Sequence, residues 1–242
     1  MISKQSLEGS KNLINLFNCF KYNRDFYKSH PDYFDPDGLT IFVGPQGSGK
    51  TLSAVKYVYS LKKLYPKAII VTNIDLTDYP VDNITTFRFK NSDDLSKYKN
   101  GLNGVIFLID EIQLYFNSLE SKNIDPQVMV QISQQRKQRK HIVATSQVFG
   151  RLAKPLREQF SSIILCKSYF HYFQKNSLLT RDSLDTDNST GTNIKGKVLK
   201  NFFWIHSPKD YLKYDTYCVI KNNFKDSKGC EIYDTTRLSN CS

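Results

Sequence analysis

Leu39-Thr40-Ile41-Phe42-Val43-Gly44-Pro45-Gln46-Gly47-Ser48-Gly49-Lys50-Thr51-Leu52 begins as a short, largely apolar run and ends in a glycine-rich loop. The run reads as a buried parallel strand. Gly44 to Thr51 satisfies G-x-x-x-x-G-K-[ST] at every fixed position. Downstream, Leu52, Val55, Val58, Leu61 and Leu64 recur at helical spacing, and the helix stops before Pro66. Strand, glycine loop and amphipathic helix together form the context in which this motif carries meaning. Glycines let the backbone curl so that successive N–H groups face phosphate oxygens, with the helix dipole behind them. Gly44 to Leu52 is therefore expected to cradle ATP. Lys50 would reach the β and γ phosphates, and the Thr51 hydroxyl would serve Mg²⁺. The bland alternative is a glycine-rich turn with an incidental lysine.

Outward from this loop, the chain alternates short apolar runs with helical segments. Strands are expected at 68–72, 85–89, 105–109, 141–145 and 162–166, and helices at 6–33, 51–65, 93–98, 126–137 and 152–160. Such alternation specifies an α/β fold with a mostly parallel sheet flanked by helices. Residues 1–38 read as an N-terminal helical segment and 39–173 as the core. Residues 174–197 are polar, include Asp185-Thr186-Asp187-Asn188-Ser189-Thr190-Gly191-Thr192, and read as a flexible insertion or hairpin tip. Residues 198–242 read as an extension, an aromatic strand at 198–205 followed by a polar tail.

Val105-Ile106-Phe107-Leu108-Ile109 leads into Asp110-Glu111. A P-loop needs a second carboxylate at the end of a neighbouring strand, and Asp110 is the expected Mg²⁺ partner of Thr51. Glu111 is then placed to orient or deprotonate an attacking water. An apolar strand running into a solvated acidic turn is the plain reading of the same residues. The run His141-Ile142-Val143-Ala144-Thr145-Ser146-Gln147 ends in polar residues, where ligands of open α/β sheets sit. Gln147 is the candidate sensor of the γ-phosphate, with Ser146 as runner-up and a turn or N-cap role as the alternative. Among Arg136, Lys137, Arg139, Lys140, Arg151, Lys154 and Arg157, any could be an arginine finger or a DNA-phosphate contact, against a background of solvated helix charges.

Net charge is +11 over 242 residues, with 40% hydrophobic and 24% charged residues. That composition is globular, and the excess favours polyanions such as nucleic acid. Five scattered cysteines without a CxxC pair read as free thiols in a reducing compartment. No apolar run approaches the ~20 residues of a spanning helix, and no signal peptide opens the chain. A cytoplasmic location is expected.

The segments Gly-Pro-Gln-Gly-Ser-Gly-Lys-Thr, Phe-Leu-Ile-Asp-Glu-Ile-Gln-Leu-Tyr-Phe and Gln-Gln-Arg-Lys-Gln-Arg-Lys-His-Ile-Val-Ala-Thr-Ser-Gln together resemble the FtsK/HerA superfamily of P-loop ATPases. Within it, they resemble the zonula occludens toxin-like, or filamentous-phage gene I-like, branch and the phage genome-packaging ATPases. The resemblance spans about Leu39 to Cys166. It implies a RecA/FtsK-like fold and a homo-oligomeric ring, hexameric by preference, that hydrolyses ATP to move DNA. By that likeness Lys50 and Thr51 serve phosphate and Mg²⁺, Asp110 and Glu111 serve metal and water, Gln147 senses the γ-phosphate, and Arg136 occupies the position nearest the family's arginine. Phage assembly members carry a membrane-spanning segment after the ATPase domain and this chain shows none. The expectation is thus a soluble packaging-type motor, or one that meets a membrane or capsid protein partner. A helicase or loader ATPase, and a nucleotide-binding scaffold without motor activity, are the competing readings.

Overall fold

The computed structural model describes residues 4–30, 33–36, 38–77, 85–119, 126–180, 185–186 and 194–214, with side chains from residue 15 onward except at 185, 186, 194 and 195. A long helix α1 (Lys4–Ser29) precedes β1 (Leu39–Val43), α2 (Lys50–Leu64) and β2 (Ile69–Thr72). Then come β3 (Thr86–Arg88), α3 (Asp94–Lys97), β4 (Val105–Ile109), α4 (Pro126–Ser133), β5 (Lys140–Ser146) and α5 (Lys154–Arg157). The chain continues through β6 (Phe160–Tyr169), β7 (Phe173–Leu179), a small β8–β9 pair (Asp185–Thr186 with Ile194–Lys195), β10 (Val198–Ile205) and α6 (Pro208–Tyr211).

Eight strands form one mixed sheet in the order β10-β7-β6-β1-β5-β4-β2-β3. The pairings from β3 through β6 are parallel, whereas β7 and β10 are antiparallel additions. Alternation along the strands divides the core between the two faces. Phe42, Ile70, Ile106, Leu108 and Val143 pack against Leu52, Val55, Val58 and Tyr59 of α2. The opposite face carries Ile41, Val43, Phe107, Ile109, Ile142 and Ala144 beneath Val128 and Ile132 of α4 and Leu156 of α5. The expected α/β architecture is thus present, with helices on both faces of a mostly parallel sheet.

Helix α2 closes through Lys62, whose buried ammonium donates to the carbonyls of Pro66 at 2.8 Å and Ala68 at 2.7 Å. These bonds serve groups just past the helix end and fix the turn into β2.

Two stretches differ from the sequence expectation. Helix α5 is a single turn, because Phe160, at the end of the expected helix, already pairs with Leu39 as the first residue of β6. Gln174–Leu179, expected inside a polar insertion, belongs to the strand β7 between β6 and β10. Gln174, Asn176 and Ser177 are buried because each finds a partner on the α2 side or across the sheet, whereas Lys175 is only partly covered. Residues 181–184, 187–193 and 215–242 lie outside the described residues, and with them most of the expected insertion tip and the polar tail.

Candidate active site

The parallel strands deliver their carboxyl ends to one edge of the sheet. Because β5 lies between β1 and β4, the polar end of β5 falls between the loop after β1 and the acids after β4. At that edge the Thr51 hydroxyl donates to Asp110 Oδ1 at 2.8 Å. The Thr145 hydroxyl donates to the same oxygen at 2.6 Å and accepts from the Glu111 N–H at 3.0 Å. Asn73, at the end of β2, accepts from the Asp110 N–H and donates to its carbonyl, both at 2.8 Å. The Asp110 main chain is thereby held from β2 and its carboxylate from α2 and β5. Burial raises the Asp110 carboxyl above its ordinary value. The Thr145 and Thr51 hydroxyls oppose that rise, the Glu111 charge adds to it and Lys50 subtracts.

Glu111 has a left-handed backbone, φ 51°, which turns its side chain back across the loop. A residue other than glycine in that region stores strain of about 1–3 kcal/mol, a feature concentrated at functional sites. Its carboxylate lies 3.3 Å from Lys50 Nζ, and Gln147 Nε2 donates to Glu111 Oε1 at 3.0 Å. Gln113 donates to the other oxygen. Lys50 is only 6% exposed, so a paired acid is what makes its burial tolerable.

The loop itself fits a polyphosphate. Gly47 and Gly49 both have φ 75°, opening the loop around Ser48. Ser48 Oγ is buried and finds no hydrogen-bond partner among the described residues. An orphan hydroxyl in a loop opened by two left-handed glycines, with a lysine at the start of the following helix, is a donor set that anionic oxygens satisfy. Thr51 and Asp110 together offer two oxygens to a hard divalent cation, as Mg²⁺ requires.

Gln174 and His206 were not legible in the sequence as part of this site. The fully buried Gln174 amide donates to Ser48 O at 3.0 Å and Asn176 Oδ1 at 2.8 Å. His206, whose imidazole is held below its ordinary value chiefly by burial, donates its Nε2–H to Gln174 Oε1 at 3.2 Å, and its Nδ1 lies 2.6 Å from the Tyr211 hydroxyl. A Cβ on Gly49 would lie 2.2 Å from Gln174 Oε1, so strand β7 braces the loop from below. Alongside, Lys56 of α2 stands 3.6 Å over the Trp204 ring.

The structure brings Lys50, Thr51, Asp110, Glu111 and Gln147 into one cluster. Ser146, the runner-up sensor, is buried and bonds the Val148 carbonyl, while its own carbonyl receives the Gly44 N–H. Arg136 is not in the cluster. It precedes β5, beside Asp35 at 3.6 Å, on the opposite edge of the sheet. The length of β5 alone puts about 20 Å between that edge and the acids. Arg151, by contrast, lines a cleft at the nucleotide edge with Gln113, Leu114, Asn117, Gln147 and Val148.

Among solved structures, the N-terminal domain of zonular occludens toxin from Neisseria meningitidis aligns with a TM-score of 0.52 at 18% identity, covering 74% of this chain and 98% of that one. The DNA-packaging ATPase B204 from Sulfolobus turreted icosahedral virus aligns at 0.45 and 14% identity over 72% of this chain and 98% of its own. The flagellar accessory protein FlaH from Methanocaldococcus jannaschii aligns at 0.46 and 13% identity over 74% and 88%. At that identity the first of these likenesses speaks to the fold alone. No curated protein matches the chain. Among the described residues no helix is long and apolar enough to cross a membrane. The family model for zonular occludens toxin (Zot) matches residues 38–200, most of the chain, and the protein belongs to that family of P-loop NTPases.

Proposed function

We propose that the chain is an ATP-hydrolysing, oligomeric motor that translocates, packages or extrudes DNA. The observation that carries the hydrolytic part is Glu111, which is bonded by Gln147 and paired with Lys50 one residue beyond the Mg²⁺-binding position. A carboxylate fixed there can orient a water and accept its proton. Lys50 and the backbone N–H groups from Gly49 into the first turn of α2 would hold the phosphates, while Thr51 and Asp110 would hold Mg²⁺, which supplies charge neutralisation of the phosphate oxygens when bound. Thr145 and Asn73 keep the acids in register.

The DNA part is supported by membership in the Zot family and by the net charge of +11. Arg136, remote from its own loop, serves as the finger for a neighbouring copy's site in this reading. Purified protein should turn over ATP, with stimulation by DNA, and Lys50→Ala or Glu111→Gln should abolish turnover. ATP binding without turnover under any DNA condition would overturn the motor in favour of a scaffold. A strictly monomeric protein in the presence of a non-hydrolysable ATP analogue would remove the ring.

A further inference from the structure

The helical cover on the α4 and α5 side of the sheet stops short of its antiparallel end. There the register puts Lys167 opposite Lys175 and Phe203 opposite Lys175, with Tyr169, Phe173 and Ile205 forming the next row on the same face. Tyr169 is 43% exposed, Phe203 57% and Ile205 68%. The Phe173 and Phe203 rings lie near-parallel at 6.0 Å, and Lys175 Nζ stands 5.8 Å from the Phe203 ring. No acid occurs among these residues.

Two aspects of this face call for a ligand. Like charges directly across a strand pair are destabilising, so the Lys167 and Lys175 pair is relieved by an anion lying between them. Exposed aromatic rings interleaved with lysines form a surface on which bases stack while phosphates meet the cations. A duplex keeps its base faces inside the stack, so rings of this kind address unpaired bases.

We infer that the β6–β7–β10 face binds a single-stranded polynucleotide, with Tyr169, Phe173 and Phe203 stacking bases and Lys167 and Lys175 holding phosphates. The inference deepens the DNA-handling reading and rests on it for its purpose, not for its measurement. The alternation of β7 gives the surface a direct connection to the nucleotide site. Phe173 and Lys175 face the polynucleotide, while Gln174 between them faces the other way and bonds the carbonyl of Ser48. A shift of the phosphate loop and a shift of the stacking surface therefore move one strand.

The test is fluorescence anisotropy of the full-length chain with labelled dT30, a duplex of equal length and phosphatidylserine vesicles, without hydrolysable nucleotide. Wild type should prefer dT30. Phe203→Ala should weaken binding about tenfold, within the range expected for one stacked base. Lys167→Ala and Lys175→Ala should each lower the slope of log affinity against log salt by about 0.7. Lys63→Ala, an exposed lysine on α2, should leave both unchanged. Unchanged dT30 binding by the Phe203 and lysine variants overturns the inference, as does preference for vesicles. Loss of a dimer in those variants with dT30 binding intact also overturns it, because the face would then be a contact between copies. Absence of ATP turnover with dT30 binding located on this face would sink the motor reading alone.

Discussion

Thr145 Oγ1 lies 2.6 Å from Asp110 Oδ1 and also accepts the Glu111 N–H at 3.0 Å, so one hydroxyl of β5 positions both acids that follow β4. Thr145→Val keeps the volume and removes both bonds. Two buried polar groups then lose a partner, a loss of about 1–3 kcal/mol in unfolding free energy. Because Asp110 is an expected metal ligand, turnover should fall about 10–100-fold, as for other partners of metal-binding groups. Thr145→Ser should retain most of both. Urea unfolding and ATP turnover measured on the same preparations check this, and wild-type turnover by the valine variant would refute it.

Gly47 and Gly49 share the same left-handed backbone, but their surroundings differ. A methyl at Gly47 meets nothing within 4 Å, whereas one at Gly49 meets Gln174 Oε1 at 2.2 Å. Both alanine substitutions incur about 1–2 kcal/mol of backbone strain. Only Gly49→Ala also displaces Gln174 from Ser48 and His206, adding about 1–3 kcal/mol for buried groups left unpaired. Gly49→Ala should therefore unfold at distinctly lower urea than Gly47→Ala. Equal midpoints would mean that β7 does not brace the loop.

The parts of this arrangement that are local were legible in the sequence. The strand, glycine loop and helix around Lys50 declare themselves within one continuous stretch, and an apolar strand ending in Asp110-Glu111 does so nearly as well. Asn73, Thr145 and Gln174 were invisible as site residues, because their roles arise from strand neighbours distant in sequence. Gln174 begins a run of Gln, Lys, Asn and Ser that reads as solvent-exposed. Its burial follows only once β7 is paired between β6 and β10, where the loop carbonyl of Ser48 and the imidazole of His206 supply partners. Arg136 precedes β5 and so joins its amino end, away from the acids, and a finger role toward a neighbouring copy depends on the assembly rather than on this chain's own loops.

Gln147 contacts the nucleotide site through Glu111, with its amide donating to Glu111 Oε1 at 3.0 Å. Gln147→Ala should lower kcat while leaving ATP affinity close to wild type, because Lys50, Thr51 and the loop N–H groups are untouched. The loss should be smaller than the about 10²–10⁴-fold expected when Glu111→Gln removes the proposed general base. Single-turnover kinetics beside equilibrium binding of an ATP analogue separate the two effects. A weakened affinity with unchanged kcat would instead make Gln147 a binding group.

Lys140 begins β5 and is 4% exposed, with Nζ donating to the Leu95 carbonyl at 2.6 Å. Burial, reinforced by Lys99, brings this amine down from 10.5 to about 8. Between those values the unfolded chain binds the proton more tightly than the folded one, so folding stability rises with pH across that window. Below about 8 the charged amine is disfavoured in full by the interior. Lys140→Met removes that unfavourable contribution and also leaves the Leu95 carbonyl without its donor. The variant should gain up to about 3 kcal/mol over wild type at neutral pH, less the penalty for that carbonyl. Its advantage should shrink steadily as pH rises from about 8 through 10.5, above which wild-type Lys140 is neutral in both states. Urea unfolding of both proteins at intervals from neutral pH upward reads the difference directly. A difference that stays flat across the window would show that Lys140 titrates alike in the folded and unfolded chains.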